Sequence, residues 1–152
     1  MALKVGDKVP VFESKDTKGA HFDSQEIIGK KPAVIYFYPK DNTSICTAQA
    51  CSFRDQYQDF KDLGAEVIGV SSDSVASHQE FAKEHALPFI LLSDEDKKIK
   101  TLFGIPPALF GLLPGRVTYV VDKNGIIVLI FNSMLGGKHI SEALIALKKI
   151  VS

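Results

Sequence analysis

The chain has 152 residues, the size of one domain, and its 45% hydrophobic and 24% charged residues suffice for a core without disulfide staples. Those shares exclude disordered and collagen-like chains. Eighteen basic against eighteen acidic residues leave zero formal charge and a pI near 6.9, so there is no electrostatic footprint for nucleic acid or an anionic membrane.

The opening Met1-Ala2-Leu3-Lys4-Val5-Gly6-Asp7 has neither the apolar core of a secretory signal nor the Arg/Ser-rich pattern of a transit peptide, so a cytoplasmic or already processed protein is expected. Phe12 and Phe22 flank the turn-rich Asp16-Thr17-Lys18-Gly19 and predict an N-terminal β-hairpin extension. Ala33 to Tyr38 is a continuous β-branched and aromatic run ended by Pro39, the mark of a central strand buried on both faces. From Thr43 to Leu63, apolar residues at Ile45, Phe53, Tyr57, Phe60 and Leu63 recur at helical spacing, and Gly64 supplies a C-terminal cap, which predicts one long helix. Ala65 to Ser71 gives a second buried strand, Val75 to His85 a helix, Pro88 to Leu92 a short strand, and Glu95 to Phe103 a short helix stopped by Gly104 and Pro106. The uncharged stretch Thr101 to Gly115 is interrupted by Pro106, Pro107 and Pro114 and is too short to span a bilayer; within it the apolar loop Phe103 to Leu113 either packs, the favoured reading, or walls the cleft and meets a partner. Val117 to Asp122 and Ile126 to Phe131 flank Lys123-Asn124-Gly125, an Asn-Gly hairpin signal in which both residues tolerate positive φ. Ile140, Ala143, Leu144, Leu147 and Ile150 then predict a C-terminal amphipathic helix that closes the sheet. The order β-α-β-α-β-α-β-β-α implies an α/β protein, a mixed sheet flanked by helices, within one domain spanning 1–152.

Only two cysteines occur, Cys46 and Cys51. Cys46 falls at the start of a helix that follows a central strand, where unpaired backbone N–H groups and the helix dipole favour an anionic sulfur. Strand ends in α/β sheets are also where ligands bind, which makes Cys46 the better nucleophile candidate. Cys51 lies five residues on, about 140° round an undistorted helix, with Cα atoms about 8.6 Å apart. That exceeds the disulfide limit of about 7 Å, so a bond between them requires local unwinding. Two helix cysteines are equally what a packed core would contain, and spacing alone leaves both roles open. His21, His78, His85 and His139 are scattered without ligand spacing, so no metal site is expected. No C-x-x-C, G-x-S-x-G, P-loop or G-x-G-x-x-G motif is present.

The segment Pro39-Lys40-Asp41-Asn42-Thr43-Ser44-Ile45-Cys46 resembles the peroxiredoxin signature P-x-x-x-T-x-x-C. Cys51-Ser52-Phe53-Arg54-Asp55 and Leu113-Pro114-Gly115-Arg116-Val117-Thr118 are similar to the bacterioferritin-comigratory or Q-type subgroup, and the resemblance covers nearly the whole chain. It implies a thioredoxin-like fold and a thiol-dependent peroxidase acting on hydrogen peroxide and organic hydroperoxides, with no cofactor. Residue by residue, Cys46 matches the peroxidatic cysteine that becomes a sulfenic acid and Cys51 the resolving cysteine that forms the disulfide with it. Thr43 matches the hydroxyl that orients the peroxide, Arg116 the guanidinium that stabilises thiolate and oxyanion, and Pro39 the ring that shields the sulfur. Thr43 also occupies a helix N-cap position, and both roles are compatible. Gln49 departs from the family's usual glutamate. Arg54 fits either a second cation near the site or a surface pair with Asp55. Thioredoxin or a related dithiol is the implied reductant, a monomer the expected state, and the cytoplasm or a plastid stroma the expected compartment. The rival from another class is a non-enzymatic thiol redox sensor or interaction module, which steady-state cycling with a dithiol would separate from an enzyme.

Overall fold

The computed structural model describes residues 3–105, 116–132 and 137–151. Its strands are β1 (Glu13–Lys15), β2 (His21–Asp23), β3 (Ala33–Phe37), β4 (Glu66–Ser71), β5 (Ile90–Ser93), β6 (Val117–Val121) and β7 (Ile127–Asn132). Its helices are α1 (Ser44–Asp55), α2 (Tyr57–Asp62), α3 (Val75–His85), α4 (Lys98–Leu102) and α5 (Gly137–Val151). The strands form one mixed sheet of order β2-β1-β5-β4-β3-β6-β7, the thioredoxin-like arrangement expected of the sequence.

The apolar run of β3 makes it an interior strand, parallel to β4 and antiparallel to β6, with every residue buried. Its side chains alternate between two cores, as a strand's period of two requires. Ala33, Ile35 and Phe37 pack with Phe12, Ile99 and Phe103. Val34, Tyr36 and Tyr38 pack with Cys46 and Phe53 of α1, Phe81 of α3 and Leu147 of α5. Phe53 stacks on Tyr36 at a centroid distance of 4.5 Å and meets Phe60 at 5.6 Å and Phe89 at 6.1 Å. Deleting such a ring costs about 3–5 kcal/mol, so this cluster fixes α1 against the sheet.

The N-terminal hairpin forms as expected, its turn held by the Asp16 carboxylate accepting from the N–H groups of Lys18 and Ala20. It is part of the sheet, because Lys15 pairs with Ser93 at the edge of β5. The C-terminal helix buries Ile140, Ala143 and Leu147, the stripe its periodicity marks.

Two local expectations need correction. The single helix expected over Thr43 to Leu63 is two helices, parted at Gln56, whose φ of −107° and ψ of 9° leave helical geometry. No Gly or Pro marks that break. Tertiary contacts hold the second segment: the Tyr57 hydroxyl donates to Glu66 Oε1 at 2.7 Å, and Phe60 is fully buried. The helix expected from Glu95 begins only at Lys98, because Lys97 adopts φ 59° and the Asp94 carboxylate accepts from the N–H groups of Ile99 and Lys100. In the β6–β7 hairpin only Gly125 takes positive φ, at 84°. The expected hairpin forms: Gly125 N–H donates to the Asp122 carbonyl and the Asp122 carboxylate accepts from Asn124 and Ile126, so a four-residue turn is closed by a left-handed glycine. Most of the apolar stretch expected to pack, residues 106–115, lies outside the described residues; Phe103 at its start is fully buried. Among the described residues no helix is long and apolar enough to cross a membrane.

Candidate active site

Pro39 has no N–H to continue a ladder, and the chain leaves β3 there after Tyr38 N–H donates to the Val70 carbonyl. Lys40 to Thr43 turn the chain into α1, with Asn42 at φ 62°. Thr43 is the N-cap residue, in extended conformation, and its carbonyl accepts from Thr47 N–H at 2.8 Å. Its side chain makes no capping bond and donates instead to the Lys40 carbonyl at 3.1 Å, leaving the hydroxyl on an exposed residue. Cys46 is therefore the third residue of α1, within the turn whose N–H groups lack intrahelical partners.

The Cys46 side chain points inward, and the residue is 2% exposed. Antiparallel pairing sets Phe37 opposite Val117, so Arg116, just before β6, arrives beside the end of β3 where α1 begins. Its Nη1 donates to Cys46 Sγ at 3.2 Å and to Gln49 Oε1 at 2.6 Å. Gln49 is buried one turn beyond Cys46, and its neutral carbonyl orients the guanidinium without cancelling its charge. Among the described residues, Gln49 Nε2 and the Tyr36 hydroxyl are buried without a hydrogen-bond partner. Burial, followed by negative charge at Cys46 and Asp41, holds the Tyr36 phenol well above its usual range, so it is a neutral hydroxyl in the core cluster that also holds Cys46.

Cys51 is half-buried on the same unbroken α1, and both thiols are free. The helix runs intact through both cysteines, so the separation worked out for an undistorted helix applies, and the pair cannot bond without unwinding it. Pro39 is half-buried and lines a cleft with Tyr38, Ser71, Asp94, Lys97 and Lys100, whose walls do not include Cys46. Arg54 is not drawn to Cys46: it pairs with Asp55 at 3.0 Å and donates to the His85 carbonyl at 2.8 Å, tying α1 to the end of α3.

The structure adds a buried polar cluster that sequence reasoning missed. Asp41 Oδ1 accepts from the Tyr38 hydroxyl at 2.6 Å, and Oδ2 accepts from Ser77 Oγ at 2.9 Å and lies 2.7 Å from His78 Nδ1. Asp41 N–H donates to Asp73 Oδ2 at 2.8 Å. The signal available was a charged residue inside a strand-to-helix loop and a histidine one turn before Phe81 on the buried face of α3. Ligand atoms of Asp41, Asp73 and His78 lie within 4.8 Å of one another, as do those of Glu13, His21 and Asp23 on the N-terminal hairpin. The first group is already knit by its own hydrogen bonds; in the second, His21 pairs with Glu13 at the surface.

A buried sulfur in the first turn of a helix, with a buried guanidinium aimed at it, is an arrangement for holding a thiolate and for stabilising negative charge that develops next to it. The AhpC/TSA family matches residues 5–130. A chloroplastic peroxiredoxin Q of Sedum lineare is 50% identical over 146 residues, covering 95% of this chain and 78% of that protein. Its counterpart from Gentiana triflora is 53% identical over 140 residues, covering 91% of this chain and 64% of that protein. Among solved structures, the peroxidoxin BcpB of Mycobacterium tuberculosis superposes with a TM-score of 0.90 at 32% identity, covering 99% of both chains. The bacterioferritin comigratory protein of Xanthomonas campestris does so with a TM-score of 0.84 at 28% identity, covering 93% of this chain and 92% of that one. With its fold, a cysteine at the head of α1 and these relatives, the chain belongs to the AhpC/TSA family of peroxiredoxins, which are thiol peroxidases.

Proposed function

We propose that a single domain spanning 1–152 reduces hydrogen peroxide and organic hydroperoxides through Cys46 and Cys51. The observation that carries this reading is the Arg116 guanidinium 3.2 Å from a buried Cys46 Sγ. The Cys46 thiolate attacks one peroxide oxygen, the S–O bond forms as the O–O bond breaks, and the departing oxygen takes a proton to leave as water or alcohol. Arg116 stabilises both the thiolate and the charge on the departing oxygen, the exposed Thr43 hydroxyl orients the peroxide, and Pro39 shields the sulfur. The Cys51 thiolate then attacks the sulfenic sulfur, the S–O bond breaks and the departing hydroxide takes up a proton to leave as water, giving a Cys46–Cys51 disulfide before further peroxide can drive Cys46 to the sulfinic state. Thioredoxin or a similar dithiol takes up the disulfide and returns two thiols.

Each cycle is complete within one chain, consistent with a monomer. A solved relative, the Xanthomonas campestris protein, is described for alkyl peroxide reduction, which favours organic hydroperoxides among the substrates. The plant relatives are chloroplastic by name, and a plastid stroma or a cytoplasm supplies the dithiols that reopen the disulfide. The test is steady-state peroxide consumption with thioredoxin, thioredoxin reductase and NADPH. Cys46→Ser abolishes turnover and Cys51→Ser halts it after one equivalent; turnover by metal-free and haem-free Cys46→Ser overturns the assignment.

A further inference from the structure

The resolving step needs α1 to unwind around Cys46 and Cys51, and an unwinding segment must stop somewhere. On its N-terminal side the chain is held at Asp41. That carboxylate is 4% exposed and takes the Tyr38 hydroxyl, Ser77 Oγ and His78 Nδ1 at 2.6–2.9 Å. His78 is fully buried, and its Nε2 faces the Leu92 carbonyl at 2.9 Å. A carbonyl only accepts, so Nε2 carries a hydrogen, and Nδ1 is turned to Asp41. The Asp41 N–H is fixed in addition to Asp73 Oδ2, which also accepts from Ser71 Oγ at 2.7 Å. The loop is thus bonded through one residue to α3, to the end of β4 and, through His78, to β5.

One residue later the character changes. Asn42 takes φ 62°, Thr43 makes no side-chain capping bond, and Asn42 to Ile45 are all exposed. We infer that Asp41 and His78 form a buried anchor that fixes the N-terminal boundary of the unwinding segment, with Asn42 as its hinge. The pair thereby sets the balance between peroxide attack and disulfide formation. Asp41 and His78 are positioning residues, since neither touches Cys46 in the structure. With the anchor intact, the first turn of α1 is presented to Arg116 and attack is fast. With the anchor loosened, the helical arrangement loses support relative to the unwound one. Attack then slows, resolution quickens, and less Cys46 is lost to the sulfinic state.

This inference rests on the Cys46–Cys51 cycle proposed above, and its test separates the two. Asp41→Asn and Ser77→Ala are compared with the parent by quenched-flow mass spectrometry of sulfenic acid and disulfide, by sulfinate yield in excess peroxide, and by site-resolved amide exchange of the reduced proteins. Ser77→Ala removes only one of the donors to the Asp41 carboxylate, from a half-buried residue, and provides a milder variant if Asp41→Asn folds poorly. Asp41→Asn is expected to raise the ratio of resolution rate to attack rate about tenfold, in line with losing a charge-assisted bond, and Ser77→Ala about threefold. Amide exchange is expected to accelerate from Asn42 into α1 more than in α3 or α5. A merely structural role would lower the unfolding midpoint and leave the rate ratio and sulfinate yield as in the parent; that result in folded variants overturns the anchor. A parent protein that forms no sulfenic acid or disulfide refutes the underlying cycle instead.

Discussion

Replacing Arg116 by Met removes a charge while keeping a stem that fills much of the same space. The guanidinium lies 3.2 Å from Cys46 Sγ, and at an effective dielectric near 20 two unit charges at that separation attract by about 5 kcal/mol. Gln49 Oε1, at 2.6 Å from the same nitrogen, already draws on part of that field. The net value of one charge-assisted hydrogen bond, about 1.5–3 kcal/mol, is therefore the better measure. Converted at 1.36 kcal/mol per decade, it predicts sulfenic acid formation slowed about 10- to 150-fold in Arg116→Met. The assay is quenched flow in a Cys51→Ser background, trapping the sulfenic acid with a dione and counting it by mass. Because the substitution also strips Gln49 Oε1 of its donor, a parallel denaturant titration should show a loss of about 1–3 kcal/mol. A folded Arg116→Met protein that reacts within about twofold of the parent would refute the electrostatic role, since the cation facing the sulfur is gone in it.

Gly69 lies where an added Cβ would meet Leu91 Cδ2 at 2.8 Å and Tyr36 Cζ at 2.9 Å. Gly69→Ala is expected to cost about 1–3 kcal/mol by urea titration and to slow peroxide attack through the displaced Tyr36 ring. Ala86, exposed at the end of α3, is held at φ 50°, so Ala86→Gly should stabilise the protein by about 0.5–1 kcal/mol in the same titration, with unchanged activity. The chain has four tyrosines, and burial raises all of their phenols, Tyr119 to about 12; the Glu66 carboxylate adds to the shift at Tyr57. A phenol raised in the fold contributes stability that is complete below its unfolded value of about 10 and is lost as pH rises through the folded value. Unfolding monitored by circular dichroism should therefore set in above about pH 10, with tyrosinate absorbance rising in step; simple ionisation near pH 10 in a folded protein would contradict it.

The α/β architecture was readable because buried strands and amphipathic helices leave opposite periodicities in the chain. Ala33–Tyr38 announces an interior strand, and Ile140, Ala143 and Leu147 announce the face of α5 that meets the sheet. The break at Gln56 was not readable, since Phe53 and Phe60 keep helical spacing across it and the contacts that hold α2 come from Glu66, distant in local pattern. The late start of α4 follows from Asp94 capping across a left-handed Lys97, a choice made by side-chain hydrogen bonds rather than by hydrophobic spacing. At the site, Cys46 was legible from its place at a helix start, whereas Arg116, seventy residues away, was legible only through family resemblance. Register then explains it, because pairing of Phe37 with Val117 delivers Arg116 to the sulfur. Asp41 and His78 stayed hidden because each alone reads as an ordinary polar residue, and only the packing of α3 against the loop joins them.

Intact mass after brief exposure of the reduced protein to one equivalent of peroxide, for the parent and for Cys51→Ser, bears most directly on the two-cysteine cycle. The parent should lose about 2 Da as a disulfide forms, and Cys51→Ser should gain about 16 Da as the sulfenic acid persists, with the added oxygen on Cys46 by peptide mapping. Both proteins remaining at their reduced masses for minutes at neutral pH would show that neither sulfur is activated, and the Cys46–Cys51 mechanism would fall.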